Sequence, residues 1–315
     1  MITKAPQEIG QFRQRIQFMW AARIGFRTIL EHLGFGPQDT ILLPAYIGIT
    51  EREGSGVMDP VEAVRAKTDF YPVDERLAGD VDVIRTRLSS GDIKALLVIH
   101  YFGIVQNNMV LLRDLCAQYN VVLIEDCAHS WCSSLDGVAL GDYGEYCFGS
   151  IHKYLAARDG GFIKWRDNLE LTCNLAADEQ ISLESLLDFA SADYRNIAAN
   201  RLENYRHLTN HLVHLKGIEV MYPELAPGIV PLNLPLLVTG MTREKLYFDL
   251  IERGFTLIAL YYRLVPEIDE ERFPVSHMLS QSILNLPVHQ DTTTEDLDDL
   301  IHAIQDILAH SAQTA

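Results

Sequence analysis

Lys153 lies in the stretch GSIHKYLAARDGG (149–161), between a histidine and an aromatic residue and shortly before an aspartate and two glycines. A lysine amine is a nucleophile or a base only when neutral, which requires burial or a nearby cation to lower its pKa. Asp126 ends the apolar run VVLIED upstream. A carboxylate at a strand end lies where open α/β folds bind ligands, so the two residues are candidates for joint chemistry. Taken alone, Asp126 fits a helix cap or a turn equally well.

Short apolar runs predict the strands that would position these residues. They are TILLPAY (40–46), ALLVIHYFG (95–103), VVLIED (121–126) and GGFIKW (160–165). Each is too short for an independent helix and rich in branched apolar residues, as buried strands are. The segment QNNMVLLRDLCAQYN between the second and third runs has helical spacing. A strand–helix–strand unit of this kind predicts a parallel sheet.

The pattern changes after residue 165. Residues 167 to 215 have helical spacing, and after 217 the pattern gives strand PGIVPLNLPLLV, helix TREKLYFDLIERG, strands FTLIALYY and SILNLPV, and a helix beginning TTTEDLDDL. Thr294 is the expected N-cap of this last helix. We therefore expect a large α/β domain over 1–170, a helical connector over 171–216 and a smaller C-terminal α/β domain over 217–315.

The composition argues against several classes of protein. The chain has 43 acidic and 26 basic residues and a formal net charge of −17, which disfavours nucleic acid as a partner. The five cysteines are odd in number and form no CxxC pair, so neither a disulfide framework nor a metal site is indicated. Without a signal-peptide core or a run of about 20 apolar residues, we expect a cytoplasmic protein that binds no membrane.

The residues around Lys153 follow the order of a known family. The chain has, in sequence, Asp126, Ala128, His129, Gly141, Asp142, Phe148, Ser150, Lys153, Asp159, Gly160 and Gly161. This order resembles the DegT/DnrJ/EryC1/StrS family of pyridoxal-phosphate (PLP) aminotransferases, which act on nucleotide-linked keto-sugars. GFGPQDTILLPAY, ALLVIHYFG, RLENYRHL and SILNLPVHQDTTTEDLDDLIHAI resemble further family segments, so the likeness covers nearly the whole chain.

The resemblance implies PLP fold type I, the aspartate-aminotransferase-like α/β fold, and a role for each matched residue. Lys153 would form the Schiff base with PLP and move the proton during transamination. Asp126 would pair with the pyridinium nitrogen, which lets the ring accept electrons. His129 would hydrogen-bond the phenolic oxygen of the cofactor, although it also fits an interior histidine. Ser150 would donate to the phosphate, although the family's serine usually lies further upstream.

The phosphate turn departs from the family pattern. Ala22, Arg23 and Gly25 stand where the family has a Ser-Gly-Thr-like turn at a helix start, so the usual hydroxyl is missing. Arg23 could supply a charge-assisted contact to the phosphate instead, or be a solvated arginine on a helix face. Tyr46 lies near the family's aromatic that stacks on the pyridine ring, and core packing is its alternative.

Other residues are candidate substrate contacts. His100 and Tyr101 end a predicted strand at the same sheet edge, and Tyr261 comes from the C-terminal part. The resemblance further implies a homodimer, a small-molecule amino donor, for which glutamate or glutamine is expected, and a keto-sugar acceptor.

Three alternatives to an aminotransferase remain. Cofactor binding alone does not fix the reaction, so a PLP-dependent sugar dehydratase is one. The atypical phosphate turn also permits a PLP-binding homologue that is regulatory or non-catalytic. Ser150 and Lys153 match the Ser-x-x-Lys pattern of acyl-enzyme hydrolases, but the chain has no convincing partner motif for it.

Overall fold

The computed structural model describes residues 15–166, 168–171, 173–257 and 260–314. The strands are β1 (Arg15–Met19), β2 (Thr40–Pro44), β3 (Lys67–Tyr71), β4 (Ile93–Ile99), β5 (Val122–Asp126), β6 (Ser134–Leu135), β7 (Val138–Ala139), β8 (Tyr146–Ser150), β9 (Gly161–Trp165), β10 (Ile218–Val220), β11 (Asn233–Val238) and β12 (Ile283–Pro287). The α-helices are α1 (Ala22–His32), α2 (Met58–Ala63), α3 (Val81–Ser89), α4 (Met109–Tyr119), α5 (Leu183–Ser191), α6 (Tyr194–Leu212), α7 (Arg243–Glu252), α8 (Pro274–Ser282) and α9 (Thr294–Thr314).

The main sheet has seven strands in the order β1-β9-β8-β5-β4-β2-β3. The strands from β8 to β3 run parallel, and β9 is antiparallel to both β8 and β1. This mostly parallel α/β sheet confirms the expected fold class. Because parallel neighbours end at one edge, Asp126 at the end of β5 and Ser150 at the end of β8 lie on the same side of the molecule.

Local sequence explains how the crossover helices begin and end. Asp80 caps α3 by accepting hydrogen bonds from Asp82 N and Val83 N, each at 3.0 Å. Asn108 caps α4 through Leu111 N at 3.0 Å, and Asn120 ends that helix in the left-handed conformation at φ 55°. Asparagine and aspartate are favoured at such places because their short polar side chains replace missing backbone partners.

The four strands predicted from apolar runs are present as β2, β4, β5 and β9. The prediction missed β1, β3 and β8, with sequences RIQFM, KTDFY and YCFGS. Charged residues or a glycine interrupt these five-residue segments, so no continuous apolar run marks them. Pairing with neighbours in the sheet, rather than local sequence, makes them strands.

The predicted helical segment 167–215 is only partly helical, and this corrects the prediction. Residues 168–171 and 173–176 have no helix, one short turn covers Ala177–Glu179, and α5 and α6 follow. Ser182 and Asp193 cap the two helices, so each begins at its own polar residue. The prediction relied on the spacing of apolar residues, which does not show where each helix begins.

A second, antiparallel sheet has the order β10-β11-β12. Two further predictions are corrected here. Outside residues 258 and 259, which are not among the described residues, the predicted strand FTLIALYY is not a strand. The N-cap of α9 is Thr293 rather than Thr294, because the Thr293 hydroxyl accepts from Asp296 N at 3.1 Å and Asp296 Oδ2 accepts from Thr293 N at 3.0 Å.

Buried apolar side chains form two clusters. One surrounds the main sheet, and the other joins the second sheet to α6, α7 and α9. Leu264, Val265 and Phe273 lie between elements of the second cluster in sequence but pack into the first. The division into three segments therefore stays a prediction. None of the described helices is long and apolar enough to cross a membrane.

Candidate active site

A cavity of about 580 Å³ opens at the carboxyl edge of the main sheet. The end of β5, the turn after β8, the start of α1, the loop after β2 and residues 260–262 supply its walls. Six of the predicted site residues line it, namely Arg23, Asp126, His129, Ser150, Lys153 and Tyr261. The topology therefore joins groups from four separate parts of the chain.

Asp126 is buried at the floor of the cavity. Burial raises the pKa of its carboxyl from 3.8 to about 6, while the hydrogen bond from Ala128 N at 2.9 Å and the charges of His100 and Lys153 act against this rise. An acid of this kind is costly to ionise by itself and gains from a neighbouring cation. The site thus favours a positively charged group beside Asp126.

Lys153 lies in the short turn Ile151–Lys153 that follows β8. Burial lowers the pKa of its amine, and the carboxylates of Glu53 and Asp126 act against this shift. A lowered pKa increases the fraction of neutral amine, which is the form that attacks carbonyl carbons and accepts protons.

His129 is neutral in this environment. Burial and the charge of Lys153 hold the pKa of its imidazole well below the usual value. Its Nδ1 accepts from Phe102 N at 3.4 Å, so the ring proton belongs on Nε2. The cavity therefore has a neutral N–H donor three positions beyond Asp126.

Ser150 and His152 lie on the wall beside Lys153. The Ser150 hydroxyl is 3.3 Å from the His152 ring nitrogens, and its carbonyl accepts from Trp131 Nε1 at 2.8 Å. Burial, followed by the charge of Lys153, lowers the pKa of His152. The wall thus offers a hydroxyl and a second uncharged imidazole.

The start of α1 also opens into the cavity. Its N-cap, Ala21, has no side chain that could accept from the first backbone N–H groups. Such a helix start attracts anions. Arg23 stands there and is held by the carbonyl of Glu53 and by the carboxylate of Asp59 at 3.3 Å.

Gly25 lies outside the cavity lining, contrary to its predicted contact with the cofactor. A Cβ at this position would be 2.6 Å from Ile163 Cγ2 and 2.9 Å from Met19 Sδ. The glycine is needed because α1 packs closely on β1 and β9. Gly161 has the corresponding role at the site, because its Cβ would be 2.3 Å from both Ala21 C and Ala22 N.

Three predicted site residues near strand ends also lie outside the cavity lining, namely Tyr46, His100 and Tyr101. His100 is fully buried and bonds Glu125 Oε2 through Nε2 at 2.9 Å, on a carboxylate that also accepts from Gly141 N. Side chains alternate along a strand, so Glu125 and its partner face away from Asp126. Tyr101 donates to the carbonyl of Tyr46 at 2.7 Å.

Tyr261 separates Tyr46 from the cavity. The two rings lie 5.1 Å apart, and Tyr261 has a left-handed backbone at φ 57°. Backbone bonds join its segment to the chain after β2, from Ile49 N to Arg263 O and from Val265 N to Ile47 O. The C-terminal part thereby supplies the aromatic wall that sequence reasoning assigned to Tyr46.

Sequence reasoning missed several residues that line the cavity: Trp20, Arg52, Glu53 and Arg158. Arg52 and Glu53 belong to the glycine-containing loop after β2, and Arg158 directly precedes the Asp-Gly-Gly triplet. Neither position has a spacing that distinguishes it from a surface charge. The loop composition was the only available signal.

The chain is similar in sequence to known aminotransferases. The model of the DegT/DnrJ/EryC1/StrS aminotransferase family matches residues 24–176. UDP-N-acetyl-3-dehydro-alpha-D-glucosamine 3-aminotransferase of Acidithiobacillus ferrooxidans is 25% identical over 300 residues, covering 85% of this chain and 77% of the relative.

Two solved structures have the same fold. The aminotransferase TlmJ from Streptoalloteichus hindustanus superposes with a TM-score of 0.79 at 24% identity, covering 95% of this chain and 87% of that one. The PLP-form of Spr1654 from Streptococcus pneumoniae gives 0.79 at 16% identity, covering 94% and 87%.

Proposed function

We propose that the chain, whose residues 24–176 match the DegT/DnrJ/EryC1/StrS aminotransferase family, is a PLP-dependent enzyme that transfers an amino group from an amino acid to a keto-sugar. The proposed donor is glutamate or glutamine. The proposed acceptor is nucleotide-linked, which the UDP-linked dehydro sugar in the name of the Acidithiobacillus relative supports. The observation that carries the proposal is that buried Asp126 and half-buried Lys153 line one cavity.

The residues present fit PLP. Asp126 is a buried acid whose raised pKa marks a place for a cation, and a pyridinium nitrogen is such a cation. The uncapped start of α1, with Arg23, suits a phosphate. Lys153 has the lowered pKa that covalent attachment to an aldehyde needs.

When bound, PLP supplies an aldehyde carbon that captures amines and a ring that withdraws electrons from the captured substrate. The chain's own groups have separate tasks. Asp126 holds a proton at the ring nitrogen, and His129 donates its Nε2–H to the phenolic oxygen. Lys153 would accept the proton from the substrate carbon and deliver it to the carbon that was the cofactor's aldehyde, and its lowered pKa favours the neutral amine that this transfer needs.

The test has two parts, chemical trapping and, in a separate unreduced sample, one half-reaction. The protein is incubated with PLP and reduced with borohydride, and peptide mapping should find the cofactor on Lys153. Lys164, which is paired with Asp142 at 2.6 Å outside the cavity, should stay unmodified. The variant Lys153→Ala should lose the label, and Lys245→Ala, an exposed change on α7, should keep it.

In a separate sample that has not been reduced, L-glutamate should convert the bound PLP to its pyridoxamine form, as seen in the absorbance spectrum. Trapping on Lys153 without conversion by any amino donor would point to the regulatory homologue. Consumption of a deoxygenation substrate without amino transfer would point to the dehydratase. An unmodified Lys153 peptide would exclude the proposed chemistry altogether.

We also propose that two copies of the chain form a homodimer. Leu183 and Leu187 lie four residues apart on α5 and are 70% and 59% exposed. Trp20, at the cavity wall, is exposed as well, and its backbone N–H donates to Glu179 O at 2.7 Å near the start of α5. An apolar surface of this kind beside the cavity suits a second copy.

A further inference from the structure

The charges around the cavity differ from those of the whole chain. The chain has an excess of acidic residues, yet the cavity lining has four basic side chains, Arg23, Arg52, Lys153 and Arg158, against three acidic ones, Glu53, Asp126 and Asp159. Arg23 is held by Glu53 O and Asp59, and Lys153 is assigned to the cofactor. Among the described residues, Arg52 and Arg158 have no hydrogen-bond or ion-pair partner. Two guanidinium groups are therefore available to a ligand.

Arg158 projects from a rigid part of the chain. Its neighbour Asp159 is buried and accepts from Ser182 N and from Ser182 Oγ, both at 3.1 Å. The next residue, Gly160, donates to Trp20 O at 2.8 Å and accepts from Ile151 N at 2.9 Å. The second of these bonds closes the loop that begins at the Lys153 turn. The hydrogen bonds of Asp159 and Gly160 thus fix the backbone position of Arg158 relative to Lys153.

Arg52 has a different setting. It lies in the exposed turn closed by the bonds between Thr50 and Gly54, each 3.0 Å long. It also lines a second, outer cavity together with Glu51, Tyr262 and Arg263. Arg52 therefore stands at the entrance, whereas Arg158, although also exposed, belongs to the loop that carries Lys153 and is closed by the bond from Ile151 N to Gly160 O.

We propose that Arg158 binds the α-carboxylate of the amino donor, an inference that rests on the proposed function. A planar guanidinium matches a carboxylate through two parallel hydrogen bonds. In every α-amino acid this carboxylate is one carbon from the amine that must reach the reaction centre. An anchor on the loop that carries Lys153 meets that demand, and an anchor at the entrance does not. The donor is accordingly an α-amino acid and not a simple amine.

The first measurement separates binding from rate in the half-reaction with L-glutamate. In Arg158→Gln, the donor concentration giving half-maximal conversion should rise by about tenfold or more, as expected for a lost charge-assisted pair. The limiting rate should change by less than about threefold, because Lys153 and Asp126 remain. Arg158→Lys, which keeps the charge but not the fork, should recover part of the loss. The matched control is Arg206→Gln, an exposed arginine on α6 outside the cavity.

The second measurement needs neither cofactor nor turnover. Phenylglyoxal modifies accessible guanidinium groups, and the labelled peptides are read by mass spectrometry. Glutarate, an unreactive dicarboxylate, should protect Arg158 in the cofactor-free protein, whereas UDP should leave it open. Protection by UDP alone would assign Arg158 to a phosphate and overturn the proposal. Protection of Arg158 by neither glutarate nor UDP would also overturn it. So would a rise in the half-maximal donor concentration in Arg52→Gln but not in Arg158→Gln.

The two failures are distinguishable. If none of the amino donors converts the PLP bound to the wild-type protein, the proposed function fails. Glutarate protection still reports whether Arg158 binds a carboxylate. If the wild type converts and Arg158→Gln behaves like Arg206→Gln, only the assignment of Arg158 fails.

Discussion

At the scale of single residues, opposite shifts of two pKa values characterise the site. Burial raises the pKa of Asp126 and lowers that of Lys153, so both groups are driven toward their neutral forms. A cationic cofactor ring would reverse the first shift, and covalent attachment would use the second. In the cofactor-free protein, the ionised carboxylate of Asp126 is therefore expected to lower the stability of the fold by a measurable amount.

Asp126→Asn tests this cost through the pH dependence of the free energy of unfolding. The folded-state pKa is about 6 against 3.8 for the free group, so the stabilising proton is present below pH 4 and is lost as the pH rises through 6. Above that pH the ionised, buried carboxylate costs up to about 3 kcal/mol. The cofactor-free Asn variant should thus be more stable than the wild type at pH 8 and similar at pH 4. Denaturant unfolding at several pH values measures this, and a difference independent of pH would contradict it.

At the scale of secondary-structure elements, Arg201 on α6 braces the turn that carries Lys153. Its side chain is 1% exposed and has no carboxylate partner among the described residues. It donates to Gln290 Oε1 at 2.8 Å and to Leu232 O at 3.1 Å, and it lies over the ring of Tyr154 at 4.7 Å. The Tyr154 hydroxyl in turn donates to the carbonyls of His129 and Val230. One buried cation thus links α6 to the turn that carries Lys153 and to the chain at Leu232 and Gln290.

Arg201→Gln should lower the free energy of unfolding by about 2 to 4 kcal/mol, because the carbonyls around the guanidinium lose a charged donor. Arg206→Gln, an exposed change on the same helix, should stay within about 0.5 kcal/mol of the wild type. Urea titration measures both. Equal free energies of unfolding of the two variants would show that the contacts of Arg201 do not stabilise the protein.

The contact between the start of α1 and the start of β9 is the second element-scale feature. Gly161→Ala would put a Cβ 2.3 Å from Ala21 C and Ala22 N, which are backbone atoms and cannot rotate away. We expect a loss of about 1 to 3 kcal/mol and weaker PLP binding, because the helix start at the proposed phosphate site must shift. Gly36→Ala, whose Cβ would meet nothing closer than 3.9 Å, is the control. Thermal unfolding and PLP titration give the two results, and unchanged PLP affinity would argue against a phosphate at this helix start.

At the scale of the whole molecule, the proposed homodimer depends on the exposed face of α5. Phe189, on the other face, packs on Phe18 with ring centroids 5.0 Å apart, which leaves Leu183 and Leu187 facing outward. Leu187→Asp should shift the protein from dimer to monomer in light scattering. Phe248→Asp, at an exposed site on α7, should leave the dimer intact. Dimers that persist in Leu187→Asp would place the interface elsewhere.

The sequence by itself determined the α/β class, the strands β2, β4, β5 and β9 and the residues Asp126, His129, Ser150 and Lys153 that line the cavity. These signals are local, because a buried strand needs a continuous apolar run and the family order lies within a short segment. Strands β1, β3 and β8 were not predictable, since pairing in the sheet decides them.

Only the tertiary structure decided which of the other candidates reach the cavity. Gly25 proved to be a packing position, Tyr46 lies behind Tyr261, and His100 faces Glu125 on the opposite side of the strand. Arg158 and Glu53 line the cavity although nothing in their spacing marks them. Whether a side chain faces a cavity depends on strand register and on segments distant in sequence, and a linear pattern contains neither.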